Sequence, residues 1–238
     1  MRRFDSAYAV LVEAARHHGR SDAHRDLVVI GASAGGVEVL IRVVKGLPAD
    51  LRAAVCIVLH IAPSGPSMLG HILDRAGPLQ CLTARDGDQL REGVILVAPP
   101  DRHLTIEGGH VRLTVGPREN GHRPAIDVLF RSAAALESRV IGVVLTGNRD
   151  DGSAGLAVIK ASGGATIVQD PNEAMYAGMP TNAIAQVAVD AIVPSALVAS
   201  TIAAMVNGDD PPGVAGMTLG RLVATESDHN LAEAEGTA

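Results

Sequence analysis

Apolar residues fall along this chain in short unbroken runs, each stopped by a polar or glycine-rich turn. The runs Leu27–Ile30, Ala53–Leu59, Leu79–Thr83, Val94–Ala98, Val140–Leu145, Ala165–Gln169 and Ala191–Val193 read as strands. Runs without polar alternation belong to strands buried on both faces, as in parallel sheets. Most are followed by a stretch with helical spacing: residues 36–46, Ser67–Arg75, a helix ending near Ser162, a short one from Thr181, and Ser195–Val206. The stretch Ala125–Glu137 sets Ile126, Leu129, Phe130 and Ala133 on one stripe, and Asp127 suits the positive end of its dipole. Strand, turn and helix in repetition predict an α/β domain around a parallel sheet.

One tract departs from this. His103–Val115 alternates and is centred on Gly108-Gly109, the pattern of an antiparallel hairpin. It reads as an insertion, with His103 and His110 on its surface. Upstream, residues 5–19 have Ala7, Val10, Leu11, Ala14 and Ala15 on one helical face, so residues 1–26 read as a helical extension. From Gly208 the chain turns polar and acidic, and 208–238 read as a disordered tail. The main domain is thus expected over 27–207.

Composition narrows the function classes. The 238 residues are 47% hydrophobic but include only two Phe, two Tyr and no Trp, so the core must be built from Val, Ile, Leu and Ala. A net charge of −6, with no basic patch interleaved with aromatics, argues against a nucleic-acid partner. Cys56 and Cys81 lie in predicted strands and read as buried, reduced thiols of a cytoplasmic protein. Asp5 and Glu13 make the N-terminus too polar for a signal peptide, and no run approaches the ~18 apolar residues of a membrane span. The nine histidines and two cysteines show no metal-ligand spacing, so neither metal nor cofactor is expected.

The turn after the first strand carries the first candidate chemistry. Gly31-Ala32-Ser33-Ala34-Gly35-Gly36 fails the dinucleotide pattern G-x-G-x-x-G, which wants glycine at 33, and matches G-x-S-x-G, which raises a nucleophilic serine on a tight corner. A plain phosphate-binding or structural turn remains open on this stretch alone. His60 ends the second strand, where ligand sites of open parallel sheets form; a loop-capping histidine is the plainer reading. The strand Val140–Leu145 runs into Thr146-Gly147-Asn148-Arg149-Asp150-Asp151-Gly152. A serine nucleophile needs a histidine to take its proton and a carboxylate to orient that histidine. Ser33, His60 and one of Asp150 or Asp151 all sit at strand ends that face the same way. Their order, Ser-His-Asp, is not that of the α/β-hydrolases.

The segments IGASAGG (30–36), VLHIAPS (58–64), VAPPDRHL (97–104), HRPAIDVLF (122–130), VVLTGNRDDGSAG (143–155) and QDPNEAMYAGMP (169–180) together resemble the catalytic domain of the chemotaxis protein-glutamate methylesterase family, over roughly 27–205. The resemblance implies a three-layer αβα fold with a mainly parallel sheet. It implies hydrolysis of glutamyl methyl esters on a methylated chemoreceptor-like partner, which can itself be membrane-bound; some relatives also deamidate glutamines. It assigns Ser33 as nucleophile, His60 as base and Asp151, rather than Asp150, as the orienting carboxylate. His122 becomes a supporting or substrate-contacting residue. Ala34 and Asn148-Arg149 stand where better-known members carry Thr and Met-Gly, which bears on substrate specificity. Those members begin with a receiver domain, for which the 26 residues before the first strand leave no room. Two other readings are carried along: a serine esterase or amidase acting on a non-chemoreceptor substrate, and a non-catalytic nucleotide-binding or scaffold module.

Overall fold

The computed structural model describes residues 25–60 and 68–209. The expected N-terminal helix and acidic tail lie outside the described residues, apart from their inner ends. Seven strands form one sheet: β1 (Leu27–Ala32), β2 (Ala54–Leu59), β3 (Gln80–Thr83), β4 (Val94–Val97), β7 (Val140–Val144), β8 (Ala165–Gln169) and β9 (Ala191–Val193). Their order is β3-β4-β2-β1-β7-β8-β9, and every pairing is parallel. The predicted hairpin forms separately from β5 (His103–Glu107) and β6 (His110–Thr114).

Side chains alternate across each strand, so every central strand feeds two cores. Val28, Ile30, Val55, Ile57 and Ile141 pack on one face with Leu40 and Val43 of α1 (Gly36–Gly46), Leu73 of α2 (Leu69–Asp74) and Ile202 of α6 (Ser195–Asn207). Val29, Cys56, Val58, Val140 and Val144 pack on the other. That side is covered by Leu129 and Phe130 of α3 (Ile126–Ala133), Leu156 and Ile159 of α4 (Ser153–Ala161), Met179 and Ala183 of α5 (Gly178–Gln186), and Leu104 and Val111 of the hairpin. This is the three-layer αβα arrangement, and burial on both faces explains the unbroken apolar runs. Cys56 and Cys81 are free and buried within it, and burial pushes both thiols up to about 12.

Three local expectations need correction. The helix expected to end at Glu137 stops at Ala133 and tightens into a 3-10 turn over Ala134–Arg139. The helix expected from Thr181 begins at Gly178, because Pro180 falls in its first turn, where a missing N–H costs no intrahelical bond. His103 is not on the hairpin surface: only 3% exposed, it donates from Nε2 to the Pro117 carbonyl at 2.9 Å and accepts the Ala125 N–H at Nδ1. The start of β5 packs against the approach to α3 rather than outward.

The chain leaves β1 toward β2 and β4 on one side, and later returns as β7 on the other. This reversal of winding puts a crevice at the carboxyl ends of β1 and β7, where ligands bind in such sheets.

Candidate active site

Register places the candidate residues level with one another. Ala32 pairs with Leu59 and Gly31 with Val144, so the next residues leave the sheet together. The ladder continues into the turns: His60 N–H donates to Ala32 O at 3.1 Å, Leu145 N–H to Gly31 O at 2.9 Å and Ser33 N–H to Thr146 O at 3.0 Å. Ser33 and His60 are thereby fixed by main-chain bonds before any side-chain contact is considered.

The side chains form a continuous hydrogen-bonded chain. Ser33 Oγ lies 3.1 Å from His60 Nδ1, and His60 Nε2 lies 2.7 Å from Asp151 Oδ2. The His60 and Asp151 side chains are only 5% and 2% exposed. With Nε2–H held by the carboxylate, Nδ1 is left as the acceptor facing the serine. His122 stacks on His60, with ring centroids 3.6 Å apart and planes 6° from parallel. Burial, then the neighbouring His60, holds the His122 imidazole below its ordinary value, so it stacks as a neutral ring near neutral pH.

Asp151 is held by more than the histidine. Its Oδ2 also accepts the Ile126 N–H at 2.9 Å, and its Oδ1 accepts the Asp127 N–H at 3.0 Å. These are free donors at the start of α3, where the helix dipole favours an anion. Asn120 Nδ2 supplies a fourth bond, to Oδ1 at 2.8 Å. Burial pushes the Asp151 carboxyl up, but these four donors outweigh it and the group sits at about 2.

The arrangement is reciprocal. Asp127 Oδ1 accepts the N–H groups of Gly152 at 3.0 Å and Gly155 at 2.7 Å, at the start of α4. Each aspartate therefore caps the helix that begins beside the other. Burial and the Asp151 charge push the Asp127 carboxyl up, against the pull of its hydrogen bonds. The small residues here leave room for this approach: a Cβ on Gly31 would lie 2.3 Å from Ile126 Cγ2, and one on Gly155 would lie 2.5 Å from Phe130 Cβ.

The remaining expected residues take supporting places. Ala34 presents its carbonyl to the buried Thr146 hydroxyl at 3.1 Å, and that hydroxyl also accepts the Tyr176 N–H at 3.0 Å. Asn148 is exposed at the rim. Its neighbour Arg149 has a φ of 66°, a left-handed conformation that glycine adopts without cost. Asp150 is exposed. Behind the turn, Gln169 Oε1 accepts the Thr146 N–H at 2.8 Å and its Nε2 donates to Glu173 at 2.6 Å. Sequence reasoning missed Asn120, Thr146, Gln169 and Glu173 as parts of this assembly. Among the described residues, no group of three or more His, Cys, Asp or Glu side chains is set to hold a metal ion.

The CheB methylesterase family model matches residues 28–202. The chain belongs to this family. It is similar to the protein-glutamate methylesterase/protein-glutamine glutaminase 2 of Anaeromyxobacter dehalogenans, 42% identical over 173 residues that make up 72% of this chain and 51% of the relative. A second relative of the same name, from Methanosarcina acetivorans, is 37% identical over 72% of this chain and 51% of its own length. A putative protein-glutamate methylesterase/protein-glutamine glutaminase of Leptospira interrogans is 37% identical over 71% of this chain and 88% of its own length. The matched region thus spans about half the length of the first two curated relatives. The crystal structure of the Thermotoga maritima CheB methylesterase catalytic domain superposes with a TM-score of 0.72 at 31% identity, covering 76% of this chain and 98% of that one. Among the described residues of this CheB-family chain, no helix is long and apolar enough to cross a membrane.

Proposed function

We propose that this chain is a serine hydrolase that removes methyl esters from glutamate side chains of chemoreceptor-like proteins. The observation that carries the reading is the unbroken hydrogen-bonded chain from Ser33 Oγ through His60 to Asp151, in a chain of the methylesterase family. Ser33 Oγ attacks the ester carbonyl while His60 Nδ1 takes its proton. Asp151 holds the ring in the tautomer that leaves Nδ1 free and stabilises the imidazolium. As the tetrahedral intermediate collapses, His60 returns the proton to the departing methoxide and methanol leaves. Water then attacks the acyl-enzyme, again giving its proton to His60, and the glutamate carboxylate and free serine are regenerated.

The oxyanion needs preorganised donors, each worth ~3 kcal/mol to the transition state. Among the described residues, the backbone N–H groups of Ala34, Gly35 and Asn148 donate to no acceptor. They flank Ser33, whose Cβ would lie 2.7 Å from a Cβ placed on Gly147, and they are our candidates for that role. The relatives' names join methylesterase to glutaminase, and the same steps with ammonia as leaving group would deamidate glutamine. Methanol release from a methylated receptor, wild type against Ser33→Ala, tests the reading. The variant should fold normally and release no methanol above background; turnover near the wild-type rate would remove Ser33 from the mechanism.

A further inference from the structure

Asn120 occupies a place that serine, histidine and aspartate alone do not explain. It follows Glu119 and precedes Gly121 in a two-residue turn whose ends pair through Glu119 and His122: Glu119 N–H donates to His122 O at 3.1 Å, and His122 N–H to Glu119 O at 2.8 Å. Asn120 and Gly121 have φ of 53° and 82°, the signature of a type I′ turn, for which Asn-Gly is the favoured pair. The turn thus delivers two side chains to the site: the His122 ring onto His60, and the Asn120 amide onto the aspartates.

That amide has two N–H groups, and both are used. Nδ2 lies 2.8 Å from Asp151 Oδ1 and 2.9 Å from Asp127 Oδ2. The two carboxylates are 2% and 4% exposed. Buried like charges destabilise each other strongly unless hydrogen bonds spread their charge. Among the described residues, every other donor on this pair is main chain or His60, and Asn120 alone bonds both carboxylates.

We propose that Asn120 is a positioning residue for Ser33 and His60: by giving one amide N–H to each aspartate, it keeps Asp151 aimed at His60 Nε2 although the Asp127 carboxylate lies beside it. The proposal rests on the hydrolase reading above. Without the amide, repulsion between the aspartates turns Asp151 away from the histidine, and the serine loses its oriented base. The added negative potential also favours protonation within the site, so the acid limb of the activity profile moves to higher pH. Among the described residues, His60 acts on Asp151 and Arg131 on Asp127, while Arg118 and Arg149 act on the stacked His122, and none of them donates a hydrogen bond to both carboxylates.

The test uses Asn120→Gly, which keeps the left-handed turn and removes only the amide. The readout is the second-order rate of Ser33 labelling by a fluorophosphonate, which needs no receptor. In that reaction Ser33 Oγ displaces fluoride at phosphorus and its proton passes to His60. Asn120→Gly should slow labelling at least tenfold and shift its acid limb upward, in a protein that still folds but unfolds at a lower temperature. In the Asp127→Asn background, which leaves one carboxylate, the same substitution should cost less than threefold, because the repulsion it exposes is gone. An equal cost in both backgrounds with an unmoved pH profile would mean a merely structural turn and overturn the proposal, as would no effect at all. The profile of Asn120→Gly alone decides the matter if Asp127→Asn does not fold. Wild type that is labelled at Ser33 yet releases no methanol from methylated receptors defeats the substrate assignment and leaves this proposal standing. Wild type that is not labelled defeats both.

Discussion

Replacing Asp151 by Asn tests whether the carboxylate sets the histidine tautomer. Asp151 faces four donors: His60 Nε2 and Ile126 N–H at Oδ2, Asp127 N–H and Asn120 Nδ2 at Oδ1. An amide of the same shape has one oxygen and one NH2. Whichever way it sits, the NH2 meets two donors. With the NH2 at the Oδ2 position, His60 must accept at Nε2 and carry its proton on Nδ1, where it faces Ser33 and cannot take the serine proton. Loss of the correct tautomer in a serine-histidine-aspartate set is worth roughly ten-thousand-fold in rate. With the NH2 at Oδ1, the Asp127 N–H and the Asn120 amide lose their acceptor instead. The first orientation strands one buried donor, the Ile126 N–H, and the second strands two, so the first is favoured, at a cost of about 1–3 kcal/mol. The assay is ester hydrolysis near neutral pH beside urea unfolding. The expected result is a folded protein, modestly destabilised, with activity reduced about as far as the tautomer argument requires. Activity within tenfold of wild type would mean that Asp151 does not control the ring, and the mechanism would have to be rebuilt without it.

Two further outcomes follow from the same geometry. Gly31→Ala drives a methyl group into the Ile126 side chain, whose Cγ2 lies 2.3 Å from the new Cβ position. It should cost about 1–3 kcal/mol by overpacking, measured by thermal unfolding, and Gly31→Ala/Ile126→Ala should be more stable than the sum of the two single changes. Acid titration of stability should show opposed contributions. Asp151 lies below its ordinary value, so the stability it adds is complete above the unfolded value of 3.8 and is lost as pH falls toward about 2, on the order of 2 kcal/mol. Asp127 is shifted upward, so its protonation in the folded state adds stability as pH falls from that raised value to 3.8, before the Asp151 loss sets in. The urea midpoint of Asp127→Asn should therefore lack the gain that wild type shows on acidification just above pH 3.8, and should fall in parallel with wild type below it.

The parts of the site legible in the sequence were those tied to strand ends. Ser33, His60 and the Asp150-Asp151 pair each follow a run whose apolar content fixes where the strand stops, and a parallel sheet turns three such ends toward one crevice; the family resemblance, not the strand end, singles out Asp151. What escaped was carried by loops, whose partners depend on tertiary approach. Asn120-Gly121 is itself a strong turn signal, yet within PRENGHRP it reads only as a polar loop, because nothing local shows that its amide meets two aspartates. Asp127 reads as a residue placed for its own helix dipole. In the fold its carboxylate caps the next helix instead. His103 misleads for the same reason: alternation predicts a hairpin face, and only the packing of β5 on the approach to α3 shows that face to be an inner one.

The orientation of the His60 ring can be argued from strand order alone. The three strands that supply the site lie in the sequence β2-β1-β7, about 5 Å apart from one to the next. Ser33 leaves β1, the immediate neighbour of β2, and the pairing of Ala32 with Leu59 puts it level with His60. Its hydroxyl therefore comes beside the ring nitrogen nearer the histidine main chain, Nδ1. The turn carrying Asp151 leaves β7, one strand farther away, so its carboxylate can be met only by the outer nitrogen, Nε2. Any change that drew Asp151 back toward β7 would break the outer contact first and leave the serine contact in place. Its reach across the sheet is sustained by α3, whose Ile126 and Asp127 N–H groups hold the carboxylate from the other side. The close seating of α3 on Gly31 is thus as much a condition of the geometry as the three side chains themselves.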